Sequence, residues 1–114
     1  MGESIDDPLD ALEQARAHFA SATDFTIGIE EEFQILDPDT LSLAQRYPEL
    51  RALADASPLA GGVAGELIKS EIDIKTGRCE TFAEAATLAA QRRRELFAVA
   101  DEVGYELSAS GTHP

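Results

Sequence analysis

The chain has 114 residues, of which 44% are hydrophobic, and carries 22 acidic against 9 basic side chains for a formal net charge of -13. That composition describes one globular domain rather than a disordered segment, and the acidic excess argues against nucleic acid or an anionic membrane as a partner, since both require basic surface. The single cysteine, Cys79, excludes an internal disulfide, the first twenty residues lack the apolar block of a secretory signal, and no apolar run approaches membrane-spanning length, so the expected location is cytoplasmic.

Residues 1–5 read as a loose end. Asp7-Pro8 then starts a helix, with Asp as the N-cap and Pro at the first helical position. Leu9, Leu12, Ala15 and Phe19 give it one apolar stripe, and Ser21-Ala22-Thr23-Asp24 ends it. Residues 1–24 are therefore expected to form a peripheral helical segment.

Residues 25–36 alternate with period two. Phe25, Ile27, Ile29, Phe33 and Ile35 fall on one parity, and Thr26, Gly28, Glu30, Glu32 and Gln34 on the other. This is a strand with one apolar face, on whose opposite face Glu30 and Glu32 stand together. Two such carboxylates, about 6–7 Å apart at an effective dielectric near 20, repel by roughly 2–3 kcal/mol. Open water tolerates that repulsion; a cation offsets it. Glu31 is the exception, an acid on the apolar parity.

Asp37-Pro38-Asp39-Thr40 is a turn, after which Leu41-Ser42-Leu43 could form a short partner strand. The leucines stand where a helix–loop–helix calcium site needs oxygen ligands, which excludes that motif. Pro48–Ala56 reads as a short helix with Leu50 and Leu53 inward, and Ser57–Gly65 as a loop whose glycines lack the Gly-Lys-Ser/Thr ending of a phosphate cradle. Glu66–Thr76 is a second alternating strand: Ile68, Ile72 and Ile74 on one face, Glu71, Asp73 and Lys75 on the other. Paired beside the first strand, it would place acids from both on a common face.

Gly77–Glu80 is a turn, and Thr81 with Glu84 forms a capping box for the longest helix, about 20 residues or roughly 30 Å. Phe82, Ala85, Ala86, Ala89, Leu96, Ala100 and Val103 mark its apolar stripe, and Gly104 closes it. Residues 105–110 form a third strand before Gly111-Thr112-His113-Pro114. The order of elements implies an α+β or α/β domain, a small sheet covered on one side by the long helix.

Several side chains invite a functional reading. Glu30 and Glu32 suit a hard divalent cation, or else a solvated strand face. Asp73 lies mid-strand among isoleucines, where the sheet would fix it; Glu71, on the same parity, is its rival, and Glu66 is either a further ligand or a solvated strand end. Arg92-Arg93-Arg94 fan around a helix and cannot converge on one phosphate, so partners such as Glu95 and Glu84 are expected for them. His113 lies in a loop after a strand, where functional residues concentrate. His18 reads as peripheral and Cys79 as a plain free thiol. Two histidines and one cysteine suggest neither a zinc site nor a Ser–His–Asp triad.

Four segments in order, Thr26–Phe33, Glu66–Thr76, the Arg-bearing helix after Thr81, and Gly111–Pro114, resemble the glutamate–cysteine ligase family, most closely its bacterial and archaeal carboxylate–amine ligase branch. The likeness covers residues 25–114. It implies part of a glutamine-synthetase-like antiparallel sheet whose concave face binds metal ions, ATP and an amino acid. It also implies a reaction in which ATP phosphorylates a carboxylate and an amine attacks the acyl phosphate, with Mg2+ on the phosphates. By that resemblance Glu30, Glu32, Asp73 and Glu66 are metal ligands, Asp73 standing where the family usually has Glu. Thr112 and His113 take a substrate- or nucleotide-side role, the substrates are glutamate and an amine acceptor, and the setting is glutathione biosynthesis.

Family members are several times longer, so the resemblance marks this chain as an N-terminal portion that does not catalyse the reaction alone. An unfinished sheet edge would favour a homo-oligomer. The competing reading is a non-catalytic acidic module that binds divalent cations or a partner protein.

Overall fold

The computed structural model describes residues 7–113, and the loose end expected over residues 1–5 lies outside them. The elements run α1 (Pro8–Ala20), β1 (Glu30–Leu36), α2 (Tyr47–Asp55), β2 (Val63–Ala64), β3 (Glu71–Lys75), α3 (Phe82–Val103) and β4 (Glu106–Ser108). The four strands make one antiparallel sheet in the order β2-β3-β1-β4, bearing out the mixed α and β architecture. No helix among the described residues is long and apolar enough to cross a membrane.

The core lies between one face of the sheet and the two helices α2 and α3. Phe33 and Ile35 of β1, Ile72 and Ile74 of β3 and Val63 of β2 pack with Leu50 and Ala54 of α2, Leu59, and Leu96, Val99 and Ala100 of α3. Period two in the strands and a three-to-four-residue stripe in the helices bring these residues together. Phe33 meets Phe97 edge to face, ring centroids 5.6 Å apart. Leu53 is only partly buried, so α2 presents Leu50 and Ala54 as its deepest contacts.

Helix ends follow the local chemistry closely. The Asp7 side chain accepts a hydrogen bond from the Leu9 N–H at 2.9 Å, and Ser21 caps the other end of α1. Gly104 closes α3 in the left-handed region at φ 79°, which costs glycine nothing. Thr81 Oγ1 accepts from the Glu84 N–H at 3.1 Å. The return arm differs from the expected box: Glu84 Oε2 accepts from the Glu80 N–H, one residue further out, at 2.8 Å.

Five expectations are corrected. The first strand is shorter than residues 25–36, because Phe25 sits at φ 62° and the ladder is interrupted at Thr76-Gly77. Ile27 pairs with Cys79 whereas Glu30 pairs with Lys75, so one extra residue lies on the β3 side between the two pairs. Thr76 Oγ1 fills the gap, accepting from the Ile29 N–H at 3.0 Å and donating to the Gly77 carbonyl at 2.8 Å. This is a bulge, with Gly77 at φ 74°.

The second strand begins at Glu71 rather than Glu66. Residues 66–69 form an exposed loop, and Ile68 is half exposed instead of facing inward. The expected loop over Ser57–Gly65 contains β2, a two-residue strand too short for any periodicity to reveal. Leu41–Leu43 contributes a single bridge from Leu43 to Leu36 in place of a strand, since Leu41 turns into the left-handed region at φ 58°. Finally, Phe82 at the start of α3 is 82% exposed, so the apolar stripe begins at Ala85. The α1 helix has no buried residue, and its Leu9, Leu12 and Phe19 are exposed.

Candidate functional site

The face of the sheet turned away from α2 and α3 carries the acids. Strand alternation sends Phe33 and Ile35 into the core and Glu30, Glu32 and Gln34 to the opposite side. The register sets Glu32 directly across from Asp73, Glu30 across from Lys75, and Gln34 across from Glu71. Residues opposite one another on antiparallel strands share a face, so two strands present Glu30, Glu32, Glu71 and Asp73 together. Lys75 forms no ion pair with Glu30.

Asp73 is the centre of this group. It is only 7% exposed, and its Oδ1 is buried with no hydrogen-bond partner among the described residues. Burial pushes its carboxyl up to about 7; Glu66 adds to the rise through a carboxyl–carboxyl hydrogen bond and its charge, followed by the charges of Glu32 and Glu30. Glu66 therefore joins the site from the loop before β3, not from a strand. Glu71 is also raised, first by burial, then by the charge of Glu32 and a hydrogen bond with it, and by Glu66.

A buried, unpartnered carboxylate oxygen ringed by further carboxylates is costly unless protons or a cation compensate it. Hard divalent ions take such oxygen donors, so the donor set fits Mg2+ or Ca2+. As the side chains stand, no three His, Cys, Asp or Glu groups among the described residues are gathered closely enough to hold a metal ion. The face offers neighbouring carboxyls rather than a closed coordination shell.

Glu30, Glu32, Asp73 and Glu66 are thus brought to one face, while Thr112 and His113 sit differently. Both are exposed on the loop after β4. The Thr112 carbonyl accepts from Ser110 Oγ at 3.0 Å, and a His113 ring nitrogen lies 2.8 Å from the Leu41 carbonyl.

The model of glutamate–cysteine ligase family 2 matches residues 26–114. The chain belongs to this family. Relatives provisionally named glutamate–cysteine ligase 2 include proteins from Rubrobacter xylanophilus, 32% identical over 96 residues, and Gloeobacter violaceus, 37% identical over 97 residues. Each alignment covers 84% of this chain and 26% of the relative. A relative from Saccharopolyspora erythraea is 40% identical over 91 residues, which is 80% of this chain and 23% of that protein. The chain therefore spans about a quarter of the length of the curated relatives it matches.

In this member of glutamate–cysteine ligase family 2, β1 makes two further contacts that the sequence alone does not reveal, one on each of its faces. Arg93 of α3 grips Glu31 through two hydrogen bonds, Nε to Oε1 at 3.0 Å and Nη2 to Oε2 at 2.8 Å. The misplaced parity of Glu31 was the available signal, but its partner lies 62 positions away. Gln34, the next even-parity residue after Glu32, is 4% exposed and binds the loop after β4.

Proposed function

We propose that this chain supplies one wall of the active site of an ATP-dependent carboxylate–amine ligase, forming a γ-glutamyl-type amide through an acyl phosphate as in glutamate–cysteine ligation. Family membership and the acid-lined face support that reading, and the single observation that carries it is the buried, unpartnered Oδ1 of Asp73 among carboxylates. Glu30, Glu32, Asp73 and Glu66 would hold a divalent ion, which would supply positive charge to offset that of nucleotide phosphates when bound. Asp73, whose carboxyl is raised, would give up its proton as the ion enters. Thr112 and His113 would border the nucleotide or amino-acid substrate. Glutamate and an amine acceptor are the proposed substrates, glutathione biosynthesis the proposed setting and the cytoplasm the proposed location.

The test is Glu30→Gln in a full-length enzyme carrying this segment, with ATP consumption measured alongside Mg2+ binding by calorimetry. Loss of both turnover and Mg2+ binding is expected. Undiminished turnover would remove Glu30 from the site. Mg2+ binding with no ATP consumption by the unsubstituted full-length protein would favour a non-catalytic cation-binding module.

A further inference from the structure

Gln34 is the only buried polar residue of β1. It shares the acid-lined face with Glu32 two positions earlier, and stands between Glu71 of β3 and Ser108 of β4. Its amide works in both directions. Nε2 donates to the Gly111 carbonyl at 3.2 Å, and Oε1 lies 3.3 Å from Ser110 Oγ, whose single proton it shares with the Thr112 carbonyl at 3.0 Å. Ser108 Oγ donates in turn to Ser110 Oγ at 2.8 Å, and Gly111 turns the chain at φ 78°.

The far end of the same loop is held by the His113 contact to the Leu41 carbonyl. The segment from Ser110 to His113 is thus anchored to the acid-lined face at Gln34 and to the β1–α2 connection at Leu41. Only an amide satisfies the first anchor: a carboxylate would set an acceptor oxygen against the Gly111 carbonyl, and an aliphatic side chain would supply neither group.

We propose that Gln34 is a positioning residue that holds the Ser110–His113 loop as a wall of the acid-lined face, keeping Thr112 and His113 beside the bound cation. This rests on the reading of Glu30, Glu32, Glu66 and Asp73 as its ligands. Gln34 itself touches neither cation nor substrate; it acts by ordering the loop that does. Shortening the side chain by one methylene, in Gln34→Asn, removes the reach without adding charge.

The test is a Mg2+ titration of the 15N-labelled chain followed by amide chemical shifts. In the unsubstituted chain the amides of Glu30, Glu32 and Asp73 and those of Gly111, Thr112 and His113 should move together with one midpoint. In Gln34→Asn the loop amides should lose their response while the strand amides keep theirs. Ser110→Ala, on the exposed loop, provides a second variant with the same expected loss should Gln34→Asn not fold. A loop response unchanged in these variants, or missing from the unsubstituted chain while the strand amides move, overturns the role of Gln34 alone. Silence at the strand amides overturns the cation reading and the proposal with it.

Discussion

Glu31 and Arg93 close a two-bond ion pair across the helix-covered side of β1, at 3.0 and 2.8 Å, while Glu30 and Glu32 face the other way. The Arg93 guanidinium also lies 5.6 Å from the centre of the Phe33 ring. Arg93 is 49% and Glu31 34% exposed, so solvent weakens the pair. A double-mutant cycle of Arg93→Ala and Glu31→Gln should give a coupling of about 0.5–1 kcal/mol in urea unfolding. Zero coupling would show that the pair does not tie α3 to β1 in solution.

Asp73 should make the protein less stable as pH rises. Its folded value of about 7 lies above the ordinary 3.8, so between those values the folded state holds a proton that the unfolded chain has released. The stability associated with it is therefore full below about pH 4 and is lost as pH climbs to 7, by up to about 4 kcal/mol. The raised Glu71 acts in the same direction. Asp37 acts oppositely at lower pH, because hydrogen bonds from the Thr40 and Asp39 backbone hold its carboxyl below the usual range. Melting in EDTA at pH 5 and pH 8 should show the drop, and Asp73→Asn should flatten it. A drop of equal size in the variant would place its origin elsewhere.

Mg2+ should restore that loss. At 100 times the dissociation constant a bound ligand stabilises by about 2.7 kcal/mol, so a higher melting temperature at pH 8 is expected with the ion than with EDTA. The gain should shrink at pH 5, where Asp73 holds its proton, and in Glu32→Gln. An equal gain in Glu32→Gln would exclude that side chain as a ligand.

Phe33→Ala should cost about 3–5 kcal/mol, since the ring is fully buried between the sheet and Phe97 of α3. Thr81→Ala should cost only about 1 kcal/mol, removing one side-chain cap from the start of α3. Denaturant midpoints distinguish the two; reversed magnitudes would mean that α3 is held by its cap more than by its packing.

Much of this was readable in advance where period two is unbroken. The stretches Glu30–Leu36 and Glu71–Lys75 carried their own face assignment, and their pairing placed the acids together. Strand ends were hidden because tertiary contacts set them: the positive φ of Phe25, the Thr76 hydroxyl within the ladder and the turn at Gly77. The arginine run divided in a way that helical spacing only half anticipates. Arg92 does pair with Glu95 at 3.3 Å, but Arg93 reaches another element and Glu84 serves the Glu80 backbone. Glu66 came within reach of Asp73 through loop folding, which no local pattern encodes; the residues alone left it between a ligand and a solvated strand end, and the resemblance favoured the ligand.

Strict alternation along β1 has a consequence for how this segment can diverge. Inserting or deleting one residue between Glu30 and Ile35 would reverse the facing of the strand on one side of the change, turning either Phe33 and Ile35 to the acid-lined face or the glutamates into the core. Length changes should therefore be absent from that interval in working homologues, and should collect in the exposed Asp37–Thr40 turn, where an added residue alters no facing.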